Sequence, residues 1–425
     1  MTNQPLSFRD EFPDQALTEW EALLSKSLKG QSPEHLNWQA EPGLSLPPFL
    51  TKDALDYPTH WTGSEPGESP FLRGVHAGNN HWQMVQEISL DAPEAASRTQ
   101  EARATGVYGF LLSGEQVSAE VWQQLDLDAC AVHLDLEEAP ILTTTDLRMI
   151  HQLQGGKADR ITGTLYNDPI STSAAKGKTP NAADWSRCEG GLKNTASLPH
   201  FRGLGLDLRY VHEQGGGATH ELAFALSTIV EYLDWLGEFG HEVPELLKNL
   251  AVTFGVGNRF FVEMAKFRAF RVLMSQLLTA YGIEAEAEYM PFVLGQTSQR
   301  LQTSEQTLDH LLPATTQAMS TILGGVDALI VRAHDSTGGV ESAESARLAR
   351  NVQQLLRHET HLHQVQDPAG GSYYVETATY QLAQQAWELF QTLEQSGGFQ
   401  ANVKNGRVQG LIQAFSQLQS DISNS

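Results

Sequence analysis

A chain of 425 residues with 28 Lys+Arg against 51 Asp+Glu carries a formal charge of -23, which disfavours nucleic acid and anionic lipid as partners. An apolar fraction of 40% supports an ordinary globular core, and the length exceeds what a single core usually fills, so one large domain with additions or two domains are expected. No run approaches the ~18 apolar residues of a membrane span and Met1-Thr2-Asn3-Gln4-Pro5 lacks the features of a signal peptide, so the sequence predicts a soluble, cytoplasmic protein whose Cys130 and Cys188 stay reduced.

Residues 1–60 read as an N-terminal arm. Phe12, Leu17, Trp20, Leu23, Leu24 and Leu28 recur at helical spacing, Thr18 and Glu21 have the spacing of a capping box, and Gly30 stops the helix. Such an apolar stripe needs a cover, either the chain's own core or a second subunit. Residues 61–81 form a linker, richest in Gly, Pro, Ser and Glu over 61–70. Over 82–376 short apolar runs alternate with helical stretches, the signature of βαβ units and a parallel sheet.

Strands are expected at 82–89, 106–113, 130–136, 161–167, 204–211, 251–257, 286–295 and 327–334. Helices are expected at 94–103, 116–126, 143–154, 218–238, 259–281, 304–323 and 341–358. This alternation predicts an α/β fold of the (β/α)8 TIM-barrel type, with a doubly wound open sheet as runner-up, and places any chemistry on the loops after the strands. Between Asp168 and Leu204, a polar run with Lys176, Lys178, Pro180 and the Gly190-Gly191 pair predicts a long loop over the barrel mouth in place of a helix. Gly370-Gly371 predicts a turn into a strand through Tyr373-Tyr374. Residues 377–425 predict a C-terminal helical tail, broken at Gly397-Gly398 and finishing in a short polar helix.

Several segments carry a family likeness. Leu323-Gly324-Gly325 leading into a buried strand, the helix with Arg347, Arg350 and Asn351, and Asp367-Pro368-Ala369-Gly370-Gly371-Ser372-Tyr373-Tyr374 together resemble the end of the substrate barrel in the methylmalonyl-CoA mutase family. Ala265-Lys266-Phe267-Arg268-Ala269-Phe270-Arg271-Val272-Leu273 and Gln296-Thr297-Ser298 are similar to further motifs of that family. Trp20-Glu21, Leu28-Lys29-Gly30, Leu36-Asn37-Trp38 and Pro47-Pro48-Phe49 resemble the arm of the small, or beta, subunit of its two-subunit bacterial members. Their order and spacing, more than any one tripeptide, make the likeness specific. The resemblance implies adenosylcobalamin-dependent rearrangement of acyl-CoA skeletons, the interconversion of methylmalonyl-CoA and succinyl-CoA.

Position by position, the resemblance also implies lost chemistry. Where active subunits carry a Tyr shortly before Arg-Pro-Trp, this chain reads Ala77-Gly78-Asn79-Asn80-His81-Trp82, with Ala77 at the Tyr and Asn80 at the Arg. Tyr166 stands in the place of a Gln, and the Arg that pairs the substrate carboxylate falls in the altered segment after Asp168. A Lys from that segment is a poor substitute for bidentate recognition. Arg332 and Ser336 replace the Asn and Glu that contact the adenosyl group.

His212 matches the family's active-site His after strand five, where an imidazole hydrogen-bonds a thioester carbonyl. Tyr166, His212 and Gln296 are therefore the substrate-pocket candidates, His212 is at most a vestigial catalytic one, and no residue is assigned to the cofactor or to a metal. His334 does not complete an Asp-x-His-x-x-Gly cobalt-ligand motif, because Arg332 and Thr337 stand at its Asp and Gly. His358, His361 and His363 lack the Cys or carboxylate partners of a metal site.

Nothing after Ser425 supplies the roughly 100 residues of a cobalamin-binding domain. The resemblance thus implies a noncatalytic small subunit whose large partner holds adenosylcobalamin, with acyl-CoA met through the complex. The alternative is the acyl-CoA barrel of a split mutase whose cobalamin domain is a separate chain. In either case an anionic CoA ester requires local positive charge set against the global -23.

Overall fold

The computed structural model describes residues 17–52, 61, 63–136, 147–149, 151–153, 155–300, 307–335 and 341–424. Helix α1 (Leu17–Ser27) opens it, and Gly30, at φ +86°, ends the helical run as expected. An antiparallel hairpin follows, β1 (Trp38–Glu41) with β2 (Leu44–Leu46). Ala40, Leu44 and Leu46 are fully buried in the main core, so the hairpin is docked on the body of the molecule. Helix α1 is not, for it buries no residue, and Leu17, Trp20 and Leu23 stay exposed with Trp20 against Phe49 at 5.1 Å. Among the described residues nothing buries its apolar stripe. Phe12, the first residue of the predicted stripe, lies outside the described residues.

Eight parallel strands close into a barrel: β3 (Gln83–Ser89), β4 (Gly109–Gly114), β5 (Ala131–Leu136), β6 (Gly163–Tyr166), β7 (Phe201–Asp207), β8 (Leu250–Val256), β9 (Phe292–Thr297) and β10 (Ala328–Ile330). Closure removes the open-sheet alternative, since β10 pairs with both β3 and β9. The strands are apolar runs because helices cover one face and the barrel interior covers the other; β8, Leu-Ala-Val-Thr-Phe-Gly-Val, is buried at every position. Gly163, at φ +144°, lets β6 approach β5, because a Cβ there would lie 1.9 Å from the Val132 carbonyl oxygen. The long helices α2 (Ala218–Glu238), α3 (Phe260–Ala280) and α4 (Tyr373–Gln395) pack on one another, and α5 (Arg407–Asn424) ends the chain.

The motifs behind the family likeness meet in space. Arg268 and Arg271 of α3 are almost wholly buried. Arg268 pairs with Glu376 at 2.7 Å and with Asp367, while Arg271 donates to the carbonyls of Phe71, Leu72, Gly324 and Gly325 at 2.8–3.2 Å. The segments 265–273, 323–325 and 367–376 are thus one clamp of charge-assisted bonds on the barrel's flank, and their residues hold the fold.

Three local expectations are corrected. The segment after Asp168 is helical, not a loop. Asp168 accepts from Ser171 N at 2.9 Å to cap Pro169–Ala174, and Asn181 and Asp184 form a reciprocal capping box that starts Ala182–Thr195. Its polar residues are helix caps, and Gly191 packs directly on Asn167. Tyr373-Tyr374 begins α4 and forms no strand. Glu376 turns its carboxylate back to Gly371 N at 2.9 Å, and Val375, Thr379, Leu382, Ala383 and Ala386 then bury one helical face. Thr18 lies inside α1 and so is not its cap.

Candidate active site at the mouth of the barrel

The C-terminal ends of the strands present a closed set of charged and amide side chains. Asp207 ends β7, and two residues on Arg209 turns back on it, donating Nε to Oδ1 and Nη2 to Oδ2, each at 2.7 Å. The same Nη2 reaches Asp135 of β5 at 3.2 Å, and Nη1 donates to Gln296 Oε1 of β9 at 2.5 Å. Gln296 Nε2 in turn donates to Glu87 Oε2 of β3 at 2.9 Å. Arg332 Nε lies 3.5 Å from Glu87 and its Nη1 donates to Gln299 at 2.7 Å. Burial works against the charge of Arg209, but Asp207 and Asp135 overcome it and hold the guanidinium protonated well above its ordinary range. Burial likewise pushes the Asp207 carboxyl up, and Arg209 wins, keeping it below the usual carboxylate range.

Beneath this network the barrel axis is filled. Val85, Leu111, Tyr166, Ala251, Leu294, Ala328 and Ile330 form one buried cluster, with Phe292 packed against it. His133, 1% exposed, stacks on Phe292 at 6.0 Å, and burial lowers its pKa to about 3, so the imidazole is neutral. Arg202 lies 4.7 Å from the centre of the same Phe292 ring.

Of the candidates, Tyr166 and Gln296 are brought to this place and both are spent on protein partners. Tyr166 Oη and Thr253 Oγ1 share a 2.5 Å bond, burial raises the phenol pKa, and the Arg209 guanidinium sits 5.8 Å over the ring. His212 lies at the same end of the barrel, its side chain close over Gly255, the β8 register partner of Gln296. The expected strand 204–211 ends at Asp207, and His212 sits on the short helix Arg209–Glu213. There it lines a cavity of about 540 Å³ with Glu41, Gly257, Arg259, Glu263 and Arg300. Burial lowers its pKa to about 4, so it is a neutral imidazole at pH 7.

Sequence reasoning missed Glu87, Asp135, Asp207 and Arg209. Their only signal was a charged residue at each strand's C-terminal end. His334 is 8% exposed with its carbonyl accepting from His310, so it offers no projecting ligand. Lys176 and Lys178 are exposed on the turn after Ala174. Among the described residues no group of His, Cys, Asp and Glu is arranged to hold a metal, His358, His361 and His363 included. No described helix is long and apolar enough to cross a membrane.

Residues 98–424 match the family described as methylmalonyl-CoA mutase. The small subunit of that enzyme from Porphyromonas gingivalis is 29% identical over 417 residues, covering 95% of this chain and 67% of its own length. That from Streptomyces virginiae is 31% identical, covering 96% of this chain and 68% of its own. The mutase of Rhizobium meliloti is 28% identical, with 94% of this chain and 61% of the relative aligned. The chain therefore spans about three fifths to two thirds of the length of these relatives.

Proposed function

Because the chain belongs to the methylmalonyl-CoA mutase family, we propose that it is the noncatalytic small subunit of a heterodimeric, adenosylcobalamin-dependent mutase that interconverts methylmalonyl-CoA and succinyl-CoA. Its large partner carries the cobalamin and the reaction. The observation that supports this reading is the stoppered barrel: the axis holds Leu111, Leu294, Ile330 and Phe292, and the Arg209 network ties strands β3, β5, β7 and β9 across its mouth. Arg209 and Gln296 are bonded to protein partners there and are not held open for a substrate carboxylate. The residues present likewise do not fit a corrin on this face, since Glu87, Gln296 and Arg332 are bonded to one another and His334 is buried.

The exposed stripe of α1 supplies the partner surface. Leu17, Trp20, Leu23 and Phe49 together present an apolar patch that a second subunit covers. One observation favours the second reading, a catalytic barrel of a split mutase: His212 faces an open cavity as a neutral imidazole. Tagged pull-down of this chain from its native extract separates the two. A one-to-one large subunit with its own cobalamin domain supports the noncatalytic role; recovery of a lone cobalamin-binding chain sinks it and makes this barrel the catalyst.

A further inference from the structure

The cavity beside His212 has no part in the noncatalytic role, and its walls carry a definite chemistry. It lies over the ends of β7, β8 and β9, with α5 as its outer wall. At about 540 Å³ it has the size of a small-metabolite pocket. Two guanidiniums face it, Arg259 at the start of α3 and Arg300 just past β9. Their neighbours are largely neutral. Arg300 donates to Ser416 Oγ at 3.2 Å and has no carboxylate within ion-pair distance among the described residues. Both Arg259 Nη atoms donate to the Gln419 side-chain oxygen, a neutral acceptor that an anion displaces, and Nη1 lies 3.9 Å from Glu41.

The acidic groups in the wall are spent on the protein. Both Glu41 oxygens accept from Ala218 N at 3.0 and 3.1 Å. Glu263 accepts from Gly257 N through Oε1 at 2.9 Å, and its Oε2 lies 2.6 Å from Lys266 Nζ. The cavity also borders the first turn of α3, a helix of 21 residues with no side chain capping its N-terminus. Phe260 N already donates to Asn258 O at 3.1 Å, and the turn contributes the positive end of the helix dipole rather than a direct donor. Finally, Gln317 is 4% exposed, gives its Nε2 to Asn258 Oδ1 at 2.6 Å, and keeps an Oε1 with no donor. A buried acceptor in that state is satisfied by a donor placed in the cavity, such as a ligand hydroxyl.

We propose that this cavity binds a small hydroxylated phosphate ester, its phosphoryl oxygens taken by Arg259 and Arg300 with the positive end of α3 behind them, and its hydroxyl donating to Gln317 Oε1. Against a chain of net charge -23, a bound dianion requires such a local concentration of donors. The floor accommodates it because residue 257 is glycine: a Cβ there would come within 2.7 Å of His212 Cε1 and 2.9 Å of Glu263 Oε1.

Titration calorimetry on the full chain with glycerol 3-phosphate, inorganic phosphate and succinate tests this. Saturable one-to-one binding is expected, with glycerol 3-phosphate tighter than inorganic phosphate and succinate weakest. Arg300→Gln, at an exposed position that leaves the fold intact, weakens both phosphates about tenfold or more. Gln317→Met lowers glycerol 3-phosphate to the level of inorganic phosphate and leaves inorganic phosphate unchanged. Absence of saturable binding, indifference to Arg300→Gln, or succinate binding as tightly as phosphate overturns the proposal.

Discussion

Arg209 Nη1 and Gln296 Oε1 meet over 2.5 Å across the mouth of the barrel, joining the end of strand β7 to β9. That bond lies among the C-terminal strand ends, the face on which a TIM barrel carries its chemistry. Each charged group around it has been given a protein partner, so the strand ends brace one another.

Arg209→Met removes the centre of this brace and leaves Asp207 and Asp135 facing each other. The carboxylates are partly solvated, with side-chain exposures of 33% and 41%, so the expected loss is about 2–3 kcal/mol, below the full penalty of a buried orphan charge. Urea unfolding measures it, and Asp207→Asn in the same chain recovers part of the loss.

Glu41 gives a pH dependence. Burial raises its carboxyl from the ordinary value to about 7, against the Ala218 amide and Arg259, which favour the charged form. A carboxyl whose folded pKa exceeds its unfolded one stabilises most below the unfolded pKa, and that contribution is lost as pH rises to about 7. Glu41→Gln, which still accepts from Ala218 N, removes the slope. The stability difference between native and variant changes by on the order of 3 kcal/mol between pH 4 and pH 8, in favour of the variant at high pH. Unfolding free energies at stepped pH read it directly; parallel curves refute it.

Tyr166→Phe tests whether the phenol serves structure or substrate. Loss of the bond to Thr253 costs about 1 kcal/mol, and turnover of the assembled complex stays within about twofold. A fall of a hundredfold in turnover at unchanged stability speaks for a substrate contact.

Trp20→Ser with Leu23→Ser separates folding from assembly. Both residues are exposed, at 39% and 60%, so the melting temperature of the chain by itself hardly moves, within about 0.5 kcal/mol. Association with the partner captured by pull-down weakens at least about tenfold, because buried aromatic anchors carry most interface energy. Unaltered association moves the interface away from α1.

The sequence by itself determined the barrel. Its strands are buried on two faces and read as apolar runs, as at 251–257, and helix 218–238 shows its buried stripe at helical spacing; both patterns are local and survive without knowledge of the fold. It also determined the family, through clusters such as 265–273, though not what those residues do. Arg268 and Arg271 reach partners 53 to 200 positions away, and only the tertiary structure shows them as a clamp. Capping was misjudged for the same reason in miniature: Asn181 and Glu376 act through side chains that turn back on the backbone, so a polar run became helices and a Tyr-Tyr pair became a helix start. The mouth of the barrel was decided by the fold alone. Glu87, Asp135, Asp207 and Gln296 lie on alternate strands, and it is the closing of the sheet, with its fixed register, that sets them around Arg209.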